Sequence, residues 1–352
     1  MSEPLPIAVD TLGGDYAPEQ VVEGAVQSGV RVILAGPEPV LGPLLQRMGS
    51  PPAVSIERAE QVIRMDEHPH QAVRAKKDSS MMVAVGLVKE GRAASVMSAG
   101  NTGAFVVAAT TLLGRLPAVR RPAAATPIPT PSGHSLLLDA GAAADCSAED
   151  LVNFAVMGDT YARLIWGIPR PRIGLLSIGE EASKGNKQVR HVHKLLKQSD
   201  LNFIGNVQGS DVGSTAVDVI VCDGFTGNVA LKVGEGIATL VMEVVKDELV
   251  AARGMQRLAA LVLRPVLRKI KKRLDWQEYG GGALLGVSGN VVIAHGKSKK
   301  RAIASAVLLA AELARTDLLR ELEKALKDHH SLVEAAGKQQ GLQETDGRKV
   351  SG

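Results

Sequence analysis

His295 stands between an apolar run and Gly296, where a histidine is either a satisfied core side chain or a group that moves a proton near neutral pH. Asp223-Gly-Phe-Thr-Gly-Asn228 reads as a tight loop that offers Thr226 and Asn228 as donors, although asparagine in a glycine-flanked turn also serves only to take left-handed backbone. Lys184, in Glu181-Ala-Ser-Lys-Gly-Asn186, could contact a phosphate or an oxyanion, or be a solvated surface lysine. Ser98-Ala-Gly-Asn-Thr-Gly103 lies between an apolar run and a helical pattern. Gly100 and Gly103 allow close backbone approach, Ser98, Asn101 and Thr102 supply donors, and a helix N-terminus there favours an anion. The same spacing fits an ordinary N-cap turn. Asp15, in Asp10-Thr-Leu-Gly-Gly-Asp15, and Asp223 are candidate polar walls of such a site.

Several familiar chemistries are absent. No G-x-G-x-x-G follows an apolar run, which removes the usual dinucleotide fingerprint. Gly296-Lys297-Ser298 resembles the end of a P-loop, but the position of the first glycine is Val291. No G-x-S-x-G is present. The two cysteines, Cys146 and Cys222, have no metal-ligand or disulfide spacing, and a reducing cytoplasm is the expected compartment. The first residues lack a signal-peptide pattern, and no apolar run is long enough to span a bilayer.

Charge is uneven. The formal net charge is +4, yet residues 249–274 carry eight basic side chains and no acidic one. Leu258, Leu261, Val262, Val266, Ile270 and Leu274 recur there at helical spacing, Pro265 is expected to kink the helix, and Trp276 follows. A basic amphipathic element of this kind suits an anionic membrane surface or an acidic protein; Arg257, Leu261, Arg264, Arg268, Ile270 and Lys271 are its expected contact residues.

The elements that must hold these residues are strands alternating with helices. Apolar runs at Ile7–Val9, Arg31–Leu34, Ala94–Met97, Ser135–Leu138, Ile173–Ser177, Val217–Val221 and Val291–Ile293 each enter a glycine-containing turn. Helical patterns at 19–28, 78–90, 104–113, 149–166 and 298–313 fill gaps between them. The expectation is a mainly parallel sheet between helices, with the polar residues at the carboxyl ends of the strands. Five prolines in 115–133 mark an extended crossing or a boundary between two halves of one sheet. Residues 1–335 are expected to form one α/β domain with the basic element at 250–278, and 336–352 a disordered tail.

Taken together, Asp10–Pro18, Ala72–Met81, Ser98–Ala104, Leu175–Asn186, Val221–Lys232, Tyr279-Gly-Gly and Ala294-His-Gly296 resemble the phosphate acyltransferase family of bacterial phospholipid synthesis, in family order. The resemblance implies a three-layer αβα fold like that of phosphate acetyltransferase and the isocitrate dehydrogenase superfamily. It implies a homodimer without metal or nucleotide cofactor, held peripherally to the membrane by the basic element. It places Lys184, Asn228 and His295 around the reacting centre, and the 98–103 loop and Lys77 near phosphate. Tyr16, Ala143, Lys187 and Gln208-Gly-Ser210 depart from the family pattern.

The implied reaction is attack of inorganic phosphate on the thioester of an acyl-acyl carrier protein. Phosphate is already anionic at neutral pH, so the protein supplies proximity and charge stabilisation in place of a nucleophile. One rival is a coenzyme A-dependent phosphate acetyl- or butyryltransferase. Another is a non-catalytic membrane-surface protein. Nucleic acid is a poor partner, because nine aromatic residues in the whole chain give little for bases to stack on.

Overall fold

The computed structural model describes residues 4–251, 253, 262–267, 269–270 and 280–335. The seven apolar runs are strands: β1 (Ile7–Asp10), β2 (Val32–Gly36), β4 (Ser95–Ser98), β6 (Gly133–Leu138), β7 (Ile173–Leu176), β9 (Val219–Val221) and β11 (Asn290–Ala294). Four further strands are β3 (Val54–Arg58), β5 (Ala123–Thr130), β8 (Phe203–Val207) and β10 (Gly281–Leu285). The helices are α1 (Glu19–Gln27), α2 (Glu38–Arg47), α3 (Pro69–Ala75), α4 (Ser80–Lys89), α5 (Thr102–Leu112), α6 (Ala148–Ile165), α7 (Lys187–Lys197), α8 (Gly224–Ala251), α9 (Lys300–Arg315) and α10 (Leu318–Asp328). Among the described residues, no helix is long and apolar enough to cross a membrane.

The strands form one sheet in the order β3-β2-β1-β4-β11-β10-β5-β6-β9-β7-β8. The architecture is the expected mainly parallel α/β layering. Side chains alternate across the sheet: Ile7 and Val9 join a core with α1, α6 and α9, while Ala8 and Val96 face α4 and α5 on the other side. With few aromatics, this core is built from Ala, Val, Leu and Ile, and helices approach the strands closely.

Two parallel halves meet through an antiparallel ribbon. β10 is antiparallel to both β11 and β5, and β5 is antiparallel to β6. Three reversals leave β6, β9, β7 and β8 running opposite to β1, β4 and β11, so the carboxyl ends of the two halves lie at opposite edges. The proline-bearing segment supplies β5. Its Ala123–Ala125 pair with β10, whereas Pro127 and Pro129 fall where β6 is its one partner. Proline, lacking an N–H, is tolerated on such a half-open stretch.

α8 connects the halves: it begins after β9 and contacts both β5 and β6. This corrects the reading of 223–228 as a loop, because Gly224–Asn228 is the first turn of a 28-residue helix. The glycines are there for clearance. A β-carbon on Gly227 would run into the carbonyl of Asp139, and one on Gly224 would meet the Asp139 carboxylate at 2.5 Å.

Candidate active site

Two buried carboxylates organise the turns at the strand ends. Asp10, closing β1, accepts from the Ser80 hydroxyl at 2.5 Å and the Ser98 hydroxyl at 2.6 Å, which ties together the loops after β1 and β4 and the start of α4. Asp139, after β6, accepts from four backbone N–H groups, those of Ala124, Gly141, Ala142 and Ala143, at 2.7–2.9 Å. Burial raises the pKa of both carboxyls, and the hydrogen bonds oppose that rise. Neither residue is apparent as a site organiser from sequence. Each reveals its role only through partners up to 88 residues away.

Over the antiparallel ribbon, under α8, lies a cleft of about 1550 Å³. Asp15, Thr102, Asn228 and His295 all wall it. Asn228, on the first turn of α8, packs against Gly141, and its side-chain amide has no hydrogen-bond partner among the described residues. One turn further along α8, Lys232 Nζ lies 3.0 Å from His295 Nε2 and 2.9 Å from Glu235. The backbone N–H of Lys297 points at His295 Nδ1 from 3.1 Å. Partial burial lowers the His295 pKa from its ordinary 6.5, and the positive charge of Lys232 lowers it further. The ring is therefore neutral at pH 7. Lys232 is a cleft side chain, in contact with His295, that the sequence did not single out. The i, i+4 spacing from Asn228 would have exposed it had 224–228 been read as helix.

The cleft carries both charged and apolar side chains, and Lys232, Lys297 and Lys299 gather with His295 at the end where α8 begins. Lys232, Lys246, Arg264, Lys297 and Lys299 outnumber Asp15, Glu235 and Glu243, while Ile128, Phe225, Leu231, Met242, Leu249 and Leu267 line the rest. Arg264 and Leu267 come from the basic element, which is helical over 262–267. Ile270 of that element is exposed, whereas Arg257, Leu261, Arg268 and Lys271 lie outside the described residues.

Other expected site residues are placed elsewhere. Lys184 is exposed in the loop after β7 and is not among the cleft's walls; the turns after β6 and β9 reach the cleft, whereas β7 lies one strand further out in the sheet. In the 98–103 loop the polar groups serve the fold. Ser98 donates to Asp10 and accepts from Gly100 N–H, and Asn101 caps α5 while its amide donates to the Arg64, Met65 and Glu67 carbonyls. Gly103 packs against Pro69, which leaves Thr102 as the loop's one residue on the cleft. Lys77 lines a separate groove of about 890 Å³ beside Arg74 and Val107. Asp223 accepts from the Thr226 N–H and hydroxyl, both at 2.8 Å, and so fixes the start of α8. Burial pushes the Cys146 thiol up to about 12 and Cys222 well above its usual value, so neither is a thiolate at neutral pH.

The fold is that of the phosphotransacetylases. A phosphotransacetylase from Streptococcus pyogenes superposes with a TM-score of 0.58 over 89% of this chain and 95% of its own, at 18% identity. The profile of a family described as "Fatty acid synthesis protein" matches residues 5–321. The phosphate acyltransferase of Desulforudis audaxviator is 46% identical over 326 residues, 92% of this chain and 96% of the relative. That of Acidobacterium capsulatum is 47% identical over 323 residues, 90% and 96% of the two chains. The chain belongs to the phosphate acyltransferase family and is an acyltransferase.

Proposed function

We propose that this chain transfers a fatty acyl group from acyl carrier protein to inorganic phosphate, forming an acyl phosphate for phospholipid synthesis. The observation that carries this reading is one cleft with a cationic, histidine-bearing end and a long apolar wall. At about 1550 Å³ it exceeds the several hundred Å³ of an ordinary small-molecule site, which suits a long acyl chain better than an acetyl group. A phosphate oxygen forms the new bond to the thioester carbonyl, the carbon–sulfur bond breaks, and the proton carried by hydrogen phosphate ends on the departing thiol. Asn228 donates to the oxyanion, and neutral His295 orients the phosphate and passes on the proton. Lys184 is kept as a contact for the acidic carrier protein outside the cleft, where its ammonium is exposed. The test compares phosphate-dependent thiol release from long-chain acyl carrier protein and from acetyl-coenzyme A. The reading expects the carrier substrate to be preferred by kcat/KM; preference for acetyl-coenzyme A would replace it with the short-chain rival.

A homodimer and a membrane contact complete the proposal. Phe225, Val229, Val233, Ile237, Leu240 and Val244 form an exposed apolar stripe along α8 at three- and four-residue spacing. A second copy of α8 is the partner that matches it, and sedimentation is expected to give twice the chain mass of 36.9 kDa. In the basic element, Val262, Leu263, Val266 and Ile270 are exposed along with Arg264 and Lys269. An anionic bilayer satisfies both the charge and the apolar surface, at about 1 kcal/mol per basic residue near it. Val266→Glu with Ile270→Glu is expected to abolish sedimentation with anionic vesicles while leaving turnover of carrier substrate in solution. Retained vesicle binding with lost turnover would make the element a carrier docking site instead.

A further inference from the structure

The contacts around His295 do not fit a simple neutral ring. A neutral imidazole has one N–H and one lone pair. Here two donors converge on it: the Lys297 N–H at Nδ1 from 3.1 Å and the Lys232 ammonium at Nε2 from 3.0 Å. If Nδ1 accepts from Lys297, Nε2 bears the proton and faces an ammonium. If Nε2 accepts from Lys232, the Nδ1 proton faces the Lys297 N–H. Either way a donor meets a donor, and protonating the ring makes both contacts unfavourable. An acceptor with several lone pairs and negative charge, set beside Nζ and Nε2 and taking a hydrogen bond from each, removes the conflict: Lys232 and Nε2–H both donate to it, and Nδ1 accepts from Lys297.

We propose that Lys232 and His295 form a two-pronged clamp for the phosphoryl group of the acyl acceptor, with Lys232 a catalytic residue that binds phosphate directly. The assignment rests on the acyl-transfer reading of the cleft. Three further details fit it. Lys232 is held by Glu235, at 2.9 Å, so its stem is aimed before ligand arrives. Asn228, one turn earlier on α8, leaves its amide on the same cleft. The neutral ring donates its Nε2–H as a hydrogen bond to a phosphate oxygen without adding a third positive charge to Lys232 and Lys297. Glu235 also keeps the clamp from being a mere excess of charge: it balances Lys232 until a dianion competes for the ammonium.

The clamp predicts the tautomer of the phosphate-bound ring. In chain labelled with ¹⁵N at the histidine rings, assigned by difference against His295→Gln, His295 is expected to be the Nε2–H tautomer when inorganic phosphate is bound. Lys232→Met is expected to weaken phosphate binding in this titration, and to raise the KM for phosphate, by about tenfold or more, the scale of one lost charge-assisted contact. The KM for the acyl donor should change less than about threefold, since donor and phosphate occupy different parts of the cleft. Removing the ammonium should also move the acid limb of the pH–rate profile upward, because Lys232 and Lys297 disfavour imidazolium while Glu235 and Asp15 favour it. Phosphate affinity within twofold of wild type in Lys232→Met, or a His295 ring that is not the Nε2–H tautomer with phosphate bound, overturns the clamp. These outcomes are separable from the function: a chain that binds phosphate this way but releases no thiol loses the acyl-transfer reading and keeps the clamp. A chain that makes acyl phosphate normally as Lys232→Met loses the clamp and keeps the reading.

Discussion

His295→Ala is expected to lower kcat/KM about 10²–10⁴-fold, the range of a positioned acid–base group, with the circular dichroism spectrum unchanged. Three observations set that size. The ring lies on the cleft, beside Lys232 and under the Lys297 N–H, so it touches whatever occupies the cationic end. Its depressed pKa keeps it neutral at pH 7 and available to donate from one nitrogen while accepting at the other. It follows the last residue of β11 and is only half-buried, so truncation leaves the core intact. The sign of the pH dependence follows. Activity requires the neutral ring, so the wild-type rate should hold as pH falls to 6.5 and drop only below it, as the depressed pKa is crossed. Turnover of His295→Ala within threefold of wild type would remove the histidine from the chemistry.

The second large effect is on stability. Asp139→Ala strips the acceptor from four backbone N–H groups at once, those of Ala124, Gly141, Ala142 and Ala143. A buried donor left unsatisfied costs about 1–3 kcal/mol, so the loss should be on the order of 4 kcal/mol or more, a large fraction of the 5–15 kcal/mol typical of a folded domain. The damage is not local to one turn. Gly224 and Gly227 pack directly on Asp139, so the start of α8 and with it Asn228 depend on this carboxylate. Asp139→Asn, which keeps one acceptor oxygen, should lose less and stay soluble enough for a denaturant midpoint. An Asp139→Ala midpoint equal to that of wild type would show that the four N–H groups find other partners.

The strands that were legible in the sequence share one physical trait: continuous apolar runs, as in Ile173–Leu176, buried on both faces and ending at a glycine turn. Those that were not lack it. β3 (Val-Ser-Ile-Glu-Arg) is half-exposed, β8 is broken by Gly205 and Asn206, and β10 begins Gly-Gly. β5 hides behind its prolines, although the same prolines marked the crossing between halves. Of the residues singled out from sequence, His295 and Asp15, in the turns after β11 and β1, do lie on the cleft. It was not legible as an arrangement. Whether β7 and β11 open on the same edge depends on the antiparallel pairings of β10 and β5, which are tertiary facts. The turns after β6 and β9 share the cleft with His295 and the loop after β7, the next strand out, does not, so Lys184 lies off it. Lys232 escaped for the converse reason: local glycines suggested a loop, and contact with Asp139 explains why those glycines sit in a helix.

The most direct measurement is ³¹P NMR of the chain turning over long-chain acyl-acyl carrier protein in phosphate labelled at all four oxygens with ¹⁸O. Direct attack predicts an acyl phosphate resonance that grows with thiol release, carries label at the bridging oxygen, and appears without acyl group bound covalently to the protein. Thiol release independent of phosphate, or acyl group trapped on the chain, would contradict the account.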